Sequence, residues 1–320
     1  MTKAIHLLFL WSTALSACTY DVRFEDCTVR CATDSECPEG LTCGEEGLCH
    51  SPNEVVTCQL PNDGMGGTIT HVDGRTIHSF TAVGSTNFIA PAATQTFEVL
   101  IVGGGGGGGS SRGGGGGGGG GVVHISSYAN NQSSYSVVVG DGGLPARAGE
   151  NSTFGNITAI GGGGGRPSAM VNGGCGGGAS HDTNDGLGGK GTVDQGMDGG
   201  GTGYNSGSEV FAGAGGGGSL GYGAGGYMSG EGNGGSGKDF SISGESVVYA
   251  GGGGGGVQDL GNHNLKTGMG GMGGGGAGGL NDRGKDGVPS TGSGGGGGGA
   301  FMLGGHGSSG IVIVSYQTSL

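Results

Sequence analysis

Proline, tryptophan and positive charge are all scarce in this chain, and each scarcity excludes something. Only 7 of 320 residues are Pro, so the strict Gly-X-Y repeat with abundant imino acid that builds collagen is absent. The single Trp is Trp11, and aromatic residues make up 6%. Hydrophobic residues reach 32%, against a usual 45–50% or so. That leaves too little apolar side chain for one large conventional core. Lys and Arg number 12 against 25 Asp and Glu, for a formal net charge of −13. Such a balance repels a phosphate backbone and excludes nucleic acid as a partner. Enzymes hold their sites on packed helices and strands. This composition supplies few of either, so the chain is expected to be non-catalytic and free of cofactors.

Glycine fills the gap, with 93 residues, and it is unevenly placed: only 8 precede residue 103. Cysteine is uneven in the opposite sense, with 7 of 8 lying between Cys18 and Cys58. Three parts follow: a leader at 1–17, an acidic cysteine-rich head or spacer at 18–63, and a glycine-rich domain at 64–320. Within the last, residues 64–160 are strand-rich, the polyglycine body spans 103–310, and a closing strand covers 310–316.

The leader reads as an export signal. Lys3 supplies a short positive start, and Ile5 to Ala14 form an apolar stretch interrupted by His6. About ten residues suit a signal peptide, whereas a membrane span needs about 20. The stretch Leu15-Ser16-Ala17-Cys18 resembles the lipobox of bacterial lipoproteins. That resemblance implies that Cys18 becomes the first mature residue, with a diacylglyceryl thioether on sulfur and an acyl group on nitrogen. Each buried methylene contributes roughly 0.8 kcal/mol and one chain anchors only marginally, so three chains anchor the protein for good. Thr19 rather than Asp follows the cysteine. In the sorting pattern of two-membrane bacteria this implies the outer membrane and the cell surface. Simple secretion with Cys18 in a disulfide is the alternative.

Export implies an oxidising compartment, where thiols pair. With Cys18 lipidated, Cys27, Cys31, Cys37, Cys43, Cys49 and Cys58 remain, an even set that predicts three disulfides with open connectivity. The stretch Cys31-Ala32-Thr33-Asp34-Ser35-Glu36-Cys37-Pro38-Glu39-Gly40-Leu41-Thr42-Cys43 resembles small cysteine-rich modules of exported lipoproteins and extracellular proteins. Zinc ligands come as closely spaced pairs. No Cys-x-x-Cys occurs here, which argues against a metal site. The eighth cysteine, Cys175, stands between glycine pairs and reads as a small packed thiol, with an intermolecular disulfide as the other use.

The glycine-rich part contains runs with strand character. Thr68-Ile69-Thr70 and Thr76-Ile77-His78-Ser79-Phe80-Thr81 flank Asp73-Gly74, a hairpin signal. Further runs are 97–102, 122–126, 135–139, 154–160, 246–249 and 311–316. Between them lie Gly103 to Gly109, Gly113 to Gly121, Gly161 to Gly165, Gly251 to Gly256 and Gly294 to Gly299. In an α-helix glycine costs roughly 1 kcal/mol per residue against Ala. The extended left-handed helix of three residues per turn admits it, but lacks internal hydrogen bonds, so its N–H and C=O groups must find lateral partners. Parallel neighbours are the expected source. Side chains should then recur every third residue on one face, as with Phe211, Ala214, Gly217 and Leu220, with Met269 and Met272, Ala277 and Leu280, and Ala224 and Tyr227. The predicted fold class is all-β/irregular: a β-strand scaffold with stacked polyglycine II helices, preceded by a small disulfide-rich module.

From about Gly66 to Leu320 the chain resembles the glycine-rich domain of bacterial surface proteins and of phage tail-fibre tips. The resemblance rests on Gly67-Thr68-Ile69-Thr70, Ile77-His78-Ser79-Phe80-Thr81, Phe97-Glu98-Val99-Leu100-Ile101-Val102, Ser152-Thr153-Phe154-Gly155 with Ile157-Thr158-Ala159, and Ser309-Gly310-Ile311-Val312-Ile313-Val314-Ser315-Tyr316. It is more distantly similar to the glycine-rich ligand-binding domain of anaplastic lymphoma kinase-type receptors. These families imply layered polyglycine helices, with loops at one end that bind a receptor, glycan or ligand. No kinase motif is present. Two near P-loops, at Gly232…Lys238-Asp239 and Gly279…Lys285-Asp286, carry Asp where a phosphate loop needs Ser or Thr.

Polar loops between the runs are the candidate binding surface, since Asn, Asp, His and Tyr suit sugar hydroxyls. The richest hold His181, Asp182 and Asn184; Tyr204 and Asn205; Gln258 and Asp259 with Asn262, His263 and Asn264; and Asn281 with Arg283. The expected role is adhesion or ligand recognition by a lipid-anchored surface protein, partnered by the membrane through Cys18 and by a surface glycan or protein receptor. A structural envelope component without a specific ligand is the alternative, and ice binding a weaker one.

Overall fold

The computed structural model describes residues 33–43, 49–52, 64–92, 94–165, 172–182, 186–203, 209–227, 231–261, 263 and 265–318. The chain divides into two units, Met1–Pro61 and Asn62–Leu320. The expected lipidation site Cys18, the leader, and Cys27, Cys31 and Cys58 lie outside the described residues.

Among the described residues of the first unit a 3-10 turn, Asp34–Glu36, precedes two short antiparallel strands, β1 (Thr42–Cys43) and β2 (Cys49–His50). A disulfide joins Cys37 to Cys49, and Cys43 is disulfide-bonded too. The Asp34 carboxylate accepts the Cys43 N–H at 2.7 Å, tying the turn to β1.

The second unit begins with strands β3 (Thr68–Val72), β4 (Arg75–Phe80), β5 (Gly84–Ile89), β6 (Thr96–Val102), β7 (Val122–Ala129), β8 (Ser134–Val139), β9 (Ser152–Phe154) and β10 (Ile157–Ala159). Short strands β11 (Val210–Ala212), β12 (Lys238–Phe240), β13 (Val247–Tyr249) and β14 (Val257–Asp259) follow, and β15 (Ile311–Gln317) closes the chain. One sheet runs β3-β4-β15-β6-β7 and another β10-β9-β8-β5. Side-chain alternation along β6 explains its unbroken apolar run. Val99 and Ile101 face the second sheet, where Phe88, Tyr135, Val137 and Phe154 meet them. Leu100 and Val102 face the other way, onto Ile77, Ile313, Ile242 and Tyr249. A strand covered on both faces needs apolar residues at every position. Phe88 is the hub of the sandwich, within 6.4 Å of the rings of Phe80, Phe97, Tyr135, Phe154 and Tyr316.

The glycine runs leave the sandwich and pack on one another through backbone alone. Gly103, Gly106 and Gly109 donate to Gly121, Gly118 and Gly115; Gly104 and Gly107 to Glu150 and Arg147; Gly105 and Gly108 to Ser308 and Gly305, all at 2.8–3.0 Å. Their carbonyls accept from Gly162 and Gly165, from Gly143 and Ala146, and from Gly295 and Gly298, at 2.8–2.9 Å. Every set advances in steps of three. The run thus has three residues per turn and six neighbours, three antiparallel and three parallel, which is hexagonal packing of polyglycine II helices. No glycine in the five long runs takes a left-handed φ. Glycine is needed there for its missing Cβ: a methyl at Gly117 would meet the Gly106 carbonyl, and one at Gly108 the Gly296 carbonyl.

The structure corrects several expectations. Lateral partners are antiparallel as well as parallel. Residues 154–160 form no single strand, because Gly155 at φ 56 turns β9 back on β10. Phe211 and Ala214 are buried while Leu220 is 57% exposed, so that register faces inward and ends at a turn. Outer helices do keep the period of three. Leu187, Lys190 and Val193 are exposed together, as are Lys266, Met269 and Met272. Cys175 is wholly buried, and burial pushes its thiol up to about 12. That placement rules out an intermolecular disulfide in the folded chain.

Candidate functional site

Runs that leave the sandwich at Gly103, Gly140 and Ile160 must turn at the opposite end, and side chains other than hydrogen return there. The turn between the two longest runs is Ser110-Ser111-Arg112. Gly304 N–H donates to Ser110 Oγ, Phe301 N–H to the Ser111 carbonyl and Ala300 N–H to the Arg112 carbonyl, at 2.8–3.1 Å. These bonds clamp the turn against residues 300–304. The guanidinium carbon of Arg112 then lies 4.9 Å from the Phe211 ring centre and 5.9 Å from that of Phe301. Its Nε is 3.9 Å from Asp182 Oδ1. His181 is fixed by its N–H donating to the Gly113 carbonyl, and its ring meets Phe211 edge-on at 4.9 Å. Burial pushes the His181 ring below the ordinary imidazole value; Asp182 opposes this and Arg112 adds to it. Ser111 Oγ is buried without a hydrogen-bond partner.

A second group sits on the adjoining β11–β14 ribbon, where Val210 pairs with Asp259 and Phe211 with Gln258. Asp259, with its side chain 4% exposed, accepts the His263 Nδ1–H at 2.7 Å, the His263 backbone N–H at 2.7 Å and the Gly261 N–H at 3.1 Å. Burial works to raise this carboxyl, and those three donors overcome it and hold it below the usual carboxylate range. Asn281 bonds the Asp259 backbone on both sides, accepting from its N–H at 2.9 Å and donating to its carbonyl at 3.0 Å. Glu209 Oε2 lies 3.5 Å from His263 Nε2, leaving the imidazole between two carboxylates.

Of the residues expected to bind, His181 and Asp182 come together around Arg112, and His263 and Asn281 around Asp259. Arg283 stands apart, paired with Asp286 at 2.8 Å. Asn184, Tyr204, Asn205, Asn262 and Asn264 lie outside the described residues. Sequence reasoning missed Arg112, Phe301 and Glu209. Arg112 had a signal: Ser110-Ser111-Arg112 is the only interruption between two glycine runs. Glu209 had none, since its place depends on the pairing of distant strands.

Residues 81–317 match the family model of the glycine-rich domain. The chain belongs to that family. No curated protein matches it.

Proposed function

We propose that this chain is an exported lipoprotein, held at the outer membrane through Cys18, whose glycine-rich body displays a non-catalytic recognition surface at the end away from the sandwich. The observation that carries the reading is the division of labour in the body. In the runs, backbone donors and acceptors satisfy one another, so the helices offer a ligand little. At the far end, Arg112, Phe301, Asp182, His263 and Glu209 reach solvent from turns whose backbones are clamped by hydrogen bonds. Side chains fixed before contact lose less entropy on binding. A guanidinium flanked by rings and an imidazole flanked by carboxylates suit a glycan or protein receptor.

Two experiments test the two halves. Protease shaving of intact cells, beside a Cys18→Ser variant, should release the body from the wild type and free the variant from the membrane. Protection until the outer membrane is broken defeats surface display. A glycan and surface-protein binding screen with Arg112→Ala and His263→Ala should show at least one ligand lost by a variant that keeps its fold. Ligands retained by both variants defeat the far-end site.

A further inference from the structure

On the flank of the body, near the sandwich, two cavities of about 350 and 210 Å³ share Asp194, Gln195 and Ser219 as lining. Their joint floor is rigid. The Gln195 side chain accepts the Ile160 N–H at 2.9 Å and donates to the Thr158 carbonyl at 3.1 Å. Ser219 Oγ donates to the Tyr249 carbonyl at 3.1 Å and accepts the Lys238 N–H at 2.9 Å. The wall of the larger cavity includes Tyr222, 69% exposed, and Val193, 83% exposed. Lys238 lines the smaller one, with its ammonium 5.4 Å from the Phe240 ring centre.

The charges select the ligand. Asp198 is paired with Lys190 at 2.7 Å, and His124 with Glu98 at 3.0 Å. Among the described residues that leaves the Asp194 carboxylate and the Lys238 ammonium as the groove's two unpaired charges, on one shared cavity. A small anion would meet Asp194, and a cation would meet Lys238. Neighbouring hydroxyls satisfy both, because each hydroxyl can donate to a carboxylate and accept from an ammonium. The exposed Tyr222 ring offers a flat apolar face for C–H groups. The larger cavity falls within the roughly 300–1,000 Å³ of small-molecule sites.

We infer that this groove binds a neutral oligosaccharide, with a pyranose face on Tyr222 and adjacent hydroxyls bridging Asp194 and Lys238. The site is separate from the far-end surface and does not depend on that reading. The test uses the full chain in detergent and saturation-transfer NMR. The probes are maltotriose, cellotriose and mannotriose as neutral sugars, sialyllactose as an anion, and chitotriose in its deacetylated, cationic form. At least one neutral trisaccharide should receive saturation on ring C–H protons, in preference to the charged probes. Tyr222→Ala and the pair Asp194→Asn with Lys238→Gln should each weaken it at least ten-fold. Asn tolerates the left-handed backbone at position 194, where φ is 64°, and all three residues are exposed, so an unchanged melting temperature certifies the fold. Binding of no neutral probe, preference for a charged one, or indifference to these variants overturns the proposal. Loss in Arg112→Ala or His263→Ala with retention in the groove variants also overturns it, while leaving the far-end surface standing.

Discussion

The sandwich and the glycine bundle of one unit solve the same problem with opposite materials. The sandwich excludes water with side chains: Phe88, Phe97, Tyr135, Phe154 and Tyr316 interlock between two sheets whose backbones pair only in plane. The bundle excludes water with backbone: the helix from Gly103 to Gly109 bonds in six directions and carries nothing beyond Cα. In the sandwich more side chain means more burial, worth roughly 25 cal/mol per Å². In the bundle a side chain is an obstruction. A lateral hydrogen bond contributes about 1 kcal/mol net, while ordering a backbone residue costs about 1–2 kcal/mol. The bundle is therefore not expected to stand alone. The sandwich supplies its missing stability by fixing where Gly103, Gly140, Ile160 and Gly310 begin or end their runs.

The sharpest way to break the comparison is to add one methyl to the bundle. Gly117→Ala places a Cβ against the Gly106 carbonyl and disturbs the bonds from Gly117 to Gly295 and from Gly253 to Gly117. Overpacking and lost bonds together predict a cost of about 5 kcal/mol. Gly203→Ala, where a Cβ meets nothing within 4 Å, should stay within about 0.5 kcal/mol. Urea unfolding of both variants checks this; equal, small effects would mean the hexagonal packing is wrong. The sandwich predicts the reverse dependence. Phe88→Ala removes a ring in contact with six others, the His78 imidazole among them, and should cost about 3–5 kcal/mol. One carbon added to the bundle thus rivals a phenyl ring removed from the sandwich.

The same contrast explains what could be read in advance. Side-chain cores leave periodic traces: β6 and β15 stand out as apolar runs, and Asp73-Gly74, at φ 48 and 74, marks the β3–β4 turn. The polyglycine helices were legible by elimination and by the threefold spacing of Met269 and Met272. Strand β5 was not, because only Phe88 of Gly84–Ile89 is buried, and Gly84, Ser85, Thr86 and Asn87 are exposed without an apolar residue among them. Nor could the long runs announce their neighbours. A stretch of pure glycine carries no register, and Gly106 pairs with Gly118 rather than another glycine only because β6 and β7 set where each run starts. The far-end groups inherit that blindness, which is why Arg112 and Asp182 met unannounced.

Surfaces sharpen the comparison further. A sheet edge is protected by charge or twist, whereas an outer polyglycine helix needs only a Cβ every third residue to bar another helix. Met269 and Met272, 67% and 69% exposed, occupy such a register while Gly268 and Gly271 beside them are buried. Replacing both with Gly should leave monomer stability within about 1 kcal/mol and produce concentration-dependent association in sedimentation velocity. A strictly monomeric double variant would show that these side chains do not guard the flank.

The smallest expected effect is at the bundle's far end, where His181 packs a titrating ring against Phe211 at the end of a glycine run. Burial lowers the folded ring's pKa below the ordinary value of about 6.5. Above that pH the ring is neutral in both states and its contribution is complete. On acidification the unfolded chain takes the proton first, so stability falls from about pH 6.5 downward until the folded ring's own lower pKa is passed. His181→Gln should flatten that part of the pH profile of unfolding. The neighbours should displace the lower end of that window in opposite senses: Arg112→Met removes a cation that favours the neutral ring, raises the folded pKa and shrinks the loss, while Asp182→Asn removes an anion that favours the charged ring, lowers the folded pKa and deepens it. A lower end that moves in neither variant would mean that burial alone, and not the Arg112–Asp182 pair, sets the ring's protonation.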